Sequence, residues 1–273
     1  MRRFINRHPD AAIRLLLILL PFVLVIAAYA VASSARLAAN PDDKLLPSWT
    51  QMQQAVDRMA FTPDRRSGEY LMWKDTAASL TRLGLGIGIA TVLGGLLGIL
   101  QGLIPYARAL LSNFTGIVAM IPPLAVLPIL FIMFGLGEVS KVVLIIVGIL
   151  PFIIRDIAQR TGEIPREQLI KAQTLGASTW QITHRIVVPQ MLPRLIDSVR
   201  LSLGAAWLFL ISAEAIAAEA GLGYRIFLMR RYLSMDVILP YVAWITFLAF
   251  ALDFALRLLQ RWAFRWMYRG EGR

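Results

Sequence analysis

The sequence contains no cysteine and only two histidines, His8 and His184, which lie far apart in the chain. Without cysteine there are no disulfides, no thiolate-ligated zinc and no thiol nucleophile. There is also no His-Glu-x-x-His or Ser-His-Asp pattern and no Gly-x-x-x-x-Gly-Lys-Ser/Thr loop. We therefore expect no metal site, no cofactor, no catalytic residues and no ATP binding through that loop.

Acidic residues are few: 17 Asp and Glu stand against 28 Lys and Arg, for a net charge of +11. The basic residues lie in short segments between apolar runs, which favours a membrane protein flanked by anionic lipids over a nucleic-acid-binding protein. Hydrophobic residues make up 58% of the chain, against roughly 45–50% in ordinary soluble domains. This excess indicates a membrane protein.

The apolar residues form six runs, and a helix of roughly 20 such residues crosses a bilayer core. The fourth run is short and spans only if its flanks lie at the interfaces. None of the runs alternates as barrel strands do, so the sequence predicts an all-α polytopic bundle of about six transmembrane helices. The runs lie between Arg14 and Arg36, Arg82 and Arg108, Arg108 and Glu138, Lys141 and Arg155, Leu201 and Ala218, and Val237 and Arg257.

The distribution of basic residues predicts the orientation. Positive residues flank the cytoplasmic ends of spans, which places both termini and the loop 159–194 in the cytoplasm. The first run is long for a signal peptide and is predicted to be an uncleaved anchor. The terminal groups are Arg2, Arg3, Arg7 and Arg14, and Arg257, Arg261, Arg265, Arg269 and Arg273.

A single transmembrane domain, 1–273, is predicted. Its parts are an N-terminal segment with the first span (1–35), an external periplasmic segment (36–75), a core (76–262) containing a cytoplasmic loop (160–190), and a tail (263–273). In the external segment, Ser48 is placed to cap a short helix through Arg58, with Gln51 at capping-box spacing.

Two features within the predicted spans have both a structural and a functional interpretation. Pro122 and Pro123 in the third span predict either a packing kink or a break that lines a polar path. Glu214 in the fifth span is either a buried structural acid or a pathway or gating residue, because charges at membrane depth usually face the interior or a water-filled cavity.

Two further patterns are predicted to be structural. Gly94, Gly98 and Gly102 share one helical face, which lets another helix approach closely, either inside the bundle or between subunits. Asp253 lies one turn before Arg257, and an ion pair between them accounts for an acid in the last span.

The loop from Gln168 to Pro189 is the most informative segment. It predicts a short helix over Leu169–Leu175 and a left-handed turn at Gly176. Ser178 then caps a second helix through Arg185, and Pro189 lies at the boundary before the next span. Two short helices joined by glycine form a docking knob, the alternative being a plain surface loop.

This loop resembles the EAA signature of ABC importer permeases, which reads Glu-Ala-Ala, three residues, Gly, nine residues, Ile, one residue, Leu, Pro. Ala172, Gly176, Ile186 and Pro189 match at the right spacing. The chain departs from the signature at Ile170, Lys171 and Val188. Three further segments resemble the nitrate/taurine/sulfonate branch of these permeases, so the resemblance covers about residues 75–262. They are 121–129, 134–141 and 213–224.

The resemblance implies a type I importer permease working as a homodimer in the bacterial inner membrane. Each copy docks a cytoplasmic ATPase subunit, which binds ATP and Mg, and a periplasmic or lipid-anchored solute-binding protein delivers the solute. Leu175, Trp180 and Ile182 are expected to anchor the knob on the ATPase. The predicted coupling residues are Lys171, Ala172, Leu175, Gly176, Ala177, Ser178, Trp180, Ile186 and Pro189, and the pathway candidates are Pro122, Pro123 and Glu214.

The predicted substrate is a small polar solute. The branch imports anions such as nitrate, taurine and sulfonates, and also small nitrogenous organic compounds. The external basic residues Arg225, Arg230 and Arg231 favour an anion, whereas Glu214 would favour a cation if it faced the path. The alternative function is an ATPase-independent secondary transporter or channel, against which the EAA-like loop argues.

Overall fold

The computed structural model describes residues 9–40, 43–65 and 67–268, and every regular element within them is helical, as predicted. Short π-helical turns follow two of the helices, at Asp57–Phe61 and Thr183–Val187. In chain order the helices are α1 Ala11–Ala39, α2 Trp49–Val56, α3 Leu71–Leu103, α4 Pro105–Val118, α5 Pro123–Phe134, α6 Glu138–Gly162, α7 Arg166–Thr174, α8 Thr179–Ile182, α9 Val188–Ala217, α10 Leu222–Arg230, α11 Met235–Ala263 and α12 Arg265–Tyr268.

Five helical stretches within the described residues are long and apolar enough to cross a membrane: α1, α3, α6, the stretch Thr179–Ala217 and α11. The bent pair α4–α5 makes a sixth if it counts as one span, so the predicted number is confirmed. Two predicted boundaries were wrong, because α3 begins at Leu71 rather than after Arg82, and α6 extends from Glu138 to Gly162. Charge counting misplaced both boundaries because Arg82, Glu138 and Lys141 lie inside these helices, where they pair with one another.

The glycine-rich face of α3 packs on α6. A Cβ added at Gly94 would lie 2.6 Å from Ile153 Cγ2, and one added at Gly102 would lie 2.4 Å from Thr161 Cβ. These glycines therefore pack inside the bundle, as the first of the two interpretations predicted. Because the contacts advance in the same direction along both helices, α3 and α6 run parallel.

Parallel packing of α3 and α6 decides the role of α4 and α5. The chain leaves α3 at one end of the bundle and enters α6 at the other, so α4 and α5 together carry it back across. The two helices are bent by 94° relative to each other, and α5 begins at Pro123. Pro122 and Pro123 thus mark a break in the third span rather than a kink in a continuous helix.

The two ends of the bundle carry different elements. We call the end that carries α7 and α8 the inner end, and the end that carries α2 and α10 the outer end. With six crossings, α1 begins and α11 ends on the same side, the inner one. Arg2, Arg3, Arg7, Arg269 and Arg273, which entered the prediction of orientation, lie outside the described residues.

Helix α1 contacts the rest of the chain mainly near its C-terminal end, where Tyr29 Oη donates a hydrogen bond to Pro47 O at 2.7 Å. The capping box of Ser48 and Gln51 at the start of α2 is present as predicted. Both predicted limits of the external segment 36–75 fall inside helices, since α1 continues to Ala39 and α3 begins at Leu71.

The main hydrophobic core lies where α3, α6 and α9 meet, and α10 and α11 extend it at the outer end. Fully buried isoleucines of α6 pack against the glycine face of α3, and α9 adds Trp207 and Leu210 to this core. This packing brings together residues that are far apart in the sequence, including the charged residues described below.

Candidate functional site

The corner between α7 and α8, residues 166–189, is the predicted docking knob, and we call it the docking corner. Helix α7 ends in a Schellman motif, in which Ala177 N–H donates to Ala172 O at 3.0 Å and Gly176 N–H donates to Gln173 O at 2.9 Å. Gly176 has φ of 81°, which confirms the predicted left-handed turn. The motif fixes the exit of the chain from α7.

The second half of the docking corner begins with a capping box. The Ser178 hydroxyl accepts a hydrogen bond from Gln181 N–H at 3.3 Å, and Gln181 Oε1 accepts one from Ser178 N–H at 2.8 Å. The predicted cap is therefore confirmed. Only three residues separate α7 from this cap along the chain, so both helices of the corner are held at a defined angle.

The prediction that the second helix ends near Arg185 was wrong. Helix α8 passes through the π turn Thr183–Val187 into α9, giving one helical stretch of 39 residues, Thr179–Ala217. Pro189 lies in the first turn of α9. Its ring would clash with a carbonyl of a regular α-helix, and the wider π turn just before it accommodates the ring without ending the helix.

The side of the docking corner that faces the bundle forms a small core of its own. Ile182 is 5% exposed and belongs to this core, so its predicted role as an anchor on a partner was wrong. Three predicted coupling residues, Ala172, Ala177 and Ile186, are partly buried against it. The buried members are Ile164, Ile182, Val187 and Met191.

The opposite side of the docking corner carries large apolar side chains without cover from this chain. Ile170, Leu175 and Trp180 are 59%, 80% and 74% exposed, and Trp180 stacks on His184. Ile170 was missed as a coupling candidate because it replaces an acid of the signature. A large apolar residue in a mostly polar helix could have indicated a contact with a partner. Four other predicted coupling residues are also exposed: Lys171, Gly176, Ser178 and Pro189.

A cavity of about 420 Å³ lies between the α4–α5 break and α6, and we call it the α5–α6 cavity. Pro123, one of the pathway candidates, lines it together with Ile121, Phe152, Arg155, Asp156 and Gln159. Pro122 lies beside it as the N-terminal cap of α5. The break in the third span therefore lines a polar cavity.

Glu214 lies at the outer end of the bundle and is fully buried. Its carboxylate accepts hydrogen bonds from Ser79 Oγ at 2.8 Å, from Arg82 Nη1 at 2.7 Å and from Gly223 N–H at 2.9 Å. Glu214 is therefore a buried, hydrogen-bonded acid, as the structural interpretation of the sequence predicted. Its role in the pathway stays a prediction, and in this conformation the carboxylate has no exposed surface.

Arg82 connects three helices. Besides Glu214 on α9, its guanidinium donates to Ala220 O at 2.7 Å and to Glu138 Oε1 on α6 at 2.8 Å. Lys141 Nζ also binds Glu138, at 2.9 Å. We call these groups, together with Ser79, the outer polar cluster; they tie α3, α6 and α9 to the turn before α10.

Asp75 fixes the other side of that turn. It accepts hydrogen bonds from Arg225 Nε at 2.7 Å, from Gly221 N–H at 2.9 Å and from Tyr241 Oη at 3.3 Å. Arg225 is therefore engaged in a buried ion pair, and the argument that used it as an external attraction for anions was wrong. The sequence offered one indication of these contacts. Residues 75, 79 and 82 are polar and spaced so that they share one face at the start of α3.

Asp253 forms the predicted ion pair with Arg257, at 2.8 Å. It also binds Arg200 Nε of α9 at 2.8 Å, a contact that local spacing does not reveal. The acid in the last span thus links α11 to α9.

Comparison with known proteins identifies relatives of the chain. A family model described as "Binding-protein-dependent transport system inner membrane component" matches residues 90–269. The taurine transport system permease protein TauC of Escherichia coli is 37% identical over 70% of this chain and 69% of its own length. The bicarbonate transport system permease protein CmpB of Synechococcus elongatus is 33% identical over 71% of this chain and 70% of its own.

Two further matches extend this comparison. The putative aliphatic sulfonates transport permease protein SsuC of Escherichia coli is 29% identical over 85% of this chain and 83% of its own. A chain of the MetNI methionine ABC transporter, solved in an inward-facing conformation, has a TM-score of 0.58 at 22% identity and covers 79% of this chain and 98% of its own. This likeness shows that the chain shares the fold of that transporter chain.

Proposed function

The chain belongs to the family of binding-protein-dependent transport system inner membrane components, and from this membership we propose that it couples a cytoplasmic ATPase to the import of a small anion. It is the membrane-spanning permease subunit of an ABC importer and lies in the inner membrane. The proposal concerns how this subunit contacts the ATPase, what it carries and how it is assembled.

The observation that carries the proposal is the exposed apolar side of the docking corner. Ile170, Leu175 and Trp180 stand out from a corner held by a Schellman motif and a capping box. Large apolar and aromatic side chains dominate the energy of protein interfaces when a partner buries them. The partner is an ABC ATPase subunit that binds ATP and Mg, since this chain lacks the phosphate-binding loop.

The docking corner is also connected mechanically to the other end of the bundle. The stretch Thr179–Ala217 is helical throughout and at 1.5 Å per residue is about 58 Å long. Its inner end forms half of the docking corner, and its outer part carries Glu214. A displacement of the corner by ATP-driven closure of the ATPases therefore reaches the outer end directly, as alternating access requires.

The chemistry of the relatives supports the substrate class. The three named relatives carry taurine, bicarbonate and aliphatic sulfonates, and each of these solutes bears an anionic oxygen group. We place the termini and the docking corner in the cytoplasm, where the ATPase lies. A solute-binding protein presents the anion at the outer end, and a second copy of this chain completes the pathway.

Purification of the tagged chain from its native membrane in mild detergent tests the coupling. The intact chain is expected to retain an ATPase with a Walker motif at a ratio near one to one. The double variant Leu175→Ala/Trp180→Ala is expected to lose that ATPase, whereas Leu136→Ala, which truncates an exposed apolar residue at the outer end, retains it. Repeated absence of any ATPase from the folded chain would instead favour a secondary transporter or channel.

A further inference from the structure

An exposed cation of α6, Arg155, lies on the wall of the α5–α6 cavity without a partner among the described residues. Arg155 lines the cavity, and within the described residues its guanidinium makes no hydrogen bond or ion pair. It lies about 10 Å from the inner end of α6 at 1.5 Å per residue. Several other charges of the spanning helices are paired, as with Arg82 and Glu214 or Arg200 and Asp253.

Charged residues in membrane-spanning helices usually face a water-filled cavity or a functional partner. The neighbouring acid does not neutralise Arg155. The Asp156 carboxylate accepts a hydrogen bond from Arg160 Nε at 2.8 Å and another from Ser198 Oγ, so its charge is balanced by Arg160 and not by Arg155. Arg155 is therefore a cation on the cavity wall that no carboxylate of the described residues pairs.

The backbone of the α4–α5 break is an independent observation at the same place. Ala119 and Ile121, which lie in the non-helical connection between the two helices, line the cavity. Irregular backbone at membrane depth is tolerated where it lines a water-filled cavity or is buried in protein. The cavity is thus polar on two sides, from the break and from the face of α6 that bears Arg155 and Gln159.

We propose that the α5–α6 cavity is a binding site of the permease itself for the transported small oxyanion, with Arg155 as its principal ligand. The planar guanidinium presents paired N–H groups that match the oxygens of a sulfonate or carboxylate. Gln159, one turn further along α6, supplies a second donor, and Phe152, one turn before, packs on the apolar part of an organic anion. This inference rests on the proposed function, in which the chain imports a small anion.

The absence of cysteine from the chain allows a direct test on the intact protein in lipid nanodiscs. Phe152→Cys introduces a unique thiol at the wall of the cavity. Its rates of reaction are measured with two methanethiosulfonates of similar size, one bearing a sulfonate and one a trimethylammonium group. Adding Arg155→Gln is expected to lower the sulfonate-to-ammonium rate ratio about tenfold, because a focused positive potential concentrates anions by at least that factor.

Three controls make the result specific. Arg155→Lys is expected to preserve the rate ratio, because it keeps the charge. Arg194→Gln, which removes a charge at the inner end outside the cavity, is expected to leave the ratio unchanged. Taurine is expected to slow the reaction of Phe152→Cys with the sulfonate reagent in a saturable manner and to have no such effect when Arg155→Gln is also present.

Two results would overturn the proposal. One is a rate ratio that does not depend on Arg155. The other is protection by anionic phospholipid added to the nanodiscs without protection by taurine or bicarbonate, which would assign the site to a lipid headgroup.

Transport by the reconstituted complex with its ATPase and binding protein gives a second readout. With taurine as the probe, Arg155→Gln is expected to lower the maximal uptake rate about tenfold or more, since a charge-assisted hydrogen bond discriminates by at least that factor. The KM stays unchanged because the binding protein sets it. If the intact complex shows no ATP-dependent uptake of taurine, bicarbonate or an aliphatic sulfonate, the proposed function fails while the thiol assay still reports on the cavity. Normal uptake by Arg155→Gln overturns the cavity proposal alone.

Discussion

Removal of Arg82 from the outer polar cluster leaves a buried carboxylate without its counter-charge. In Arg82→Met the Glu214 carboxylate keeps Ser79 and Gly223 as donors but loses the only cation bound to it among the described residues. Breaking a buried pair by removing one partner costs roughly 3–5 kcal/mol. We expect a loss of about 3 kcal/mol in the free energy of unfolding, at the low end because two donors remain.

A matched exposed pair provides the control. The Arg257 and Asp253 side chains are 48% and 29% exposed, against 7% and 0% for Arg82 and Glu214. Arg257→Met removes the same chemical group from the last span and is expected to cost roughly 0.2–1 kcal/mol, as exposed pairs do. The comparison therefore separates the effect of burial from the effect of losing an arginine.

Reversible unfolding of the purified chain in lipid–detergent micelles measures both variants. The double variant Arg82→Met/Glu214→Gln removes the stranded charge and is expected to be less destabilised than Arg82→Met by about 1 kcal/mol or more, in the range found for coupled residues. Equal losses in Arg82→Met and Arg257→Met, or a further loss on adding Glu214→Gln, would refute the assignment of Glu214 as a charged acid stabilised by Arg82.

Three further predictions concern the docking corner and the helix packing. Gly176→Asp places a side chain at φ of 81° beside the exposed apolar side, and we expect loss of ATP-dependent uptake with normal membrane insertion; normal uptake would contradict the coupling role. Ser178→Ala removes a capping box and is expected to lower the free energy of unfolding by about 1 kcal/mol, measured in the same micelles. Gly102→Val forces atoms into Thr161 and is expected to cost at least about 1–3 kcal/mol, whereas Gly84→Val, with nothing within 4 Å of its Cβ, has little effect on the same measurement.

The outer polar cluster changes how Glu214 and Arg225 are understood. From the sequence, Arg225 looked like a charge available to a passing solute, and Glu214 was either a buried structural acid or a pathway residue. In the structure they bind Arg82 and Asp75 and hold the turn before α10 against the start of α3. Among the described residues, Arg155 lies on the cavity wall without a partner. The sequence placed it at the end of a short span, and no local pattern distinguished it from an interfacial arginine.

Local signals in the sequence predicted local structure correctly. The caps at Ser48 and Ser178 and the left-handed turn at Gly176 depend on hydrogen bonds between residues at most five apart, so the residues that decide them are visible together. The class of protein was equally determined, because long uncharged runs in a basic chain cannot be buried in a soluble core of this size. The ordered EAA-like loop and three further segments indicated the family that the comparisons identify.

Tertiary structure alone decided which charges are paired, which face of the docking corner is exposed and how the third span crosses. The pairing of Arg82 with Glu214 joins residues 132 positions apart, and the burial of Ile182 depends on its packing beside the inner ends of α3 and α9. The parallel packing of α3 and α6 requires α4 and α5 to cross back together, and they do so with a 94° break at Pro122 and Pro123. Such contacts depend on helix packing over long separations, where the spacing of residues along one helix carries no information about its neighbour.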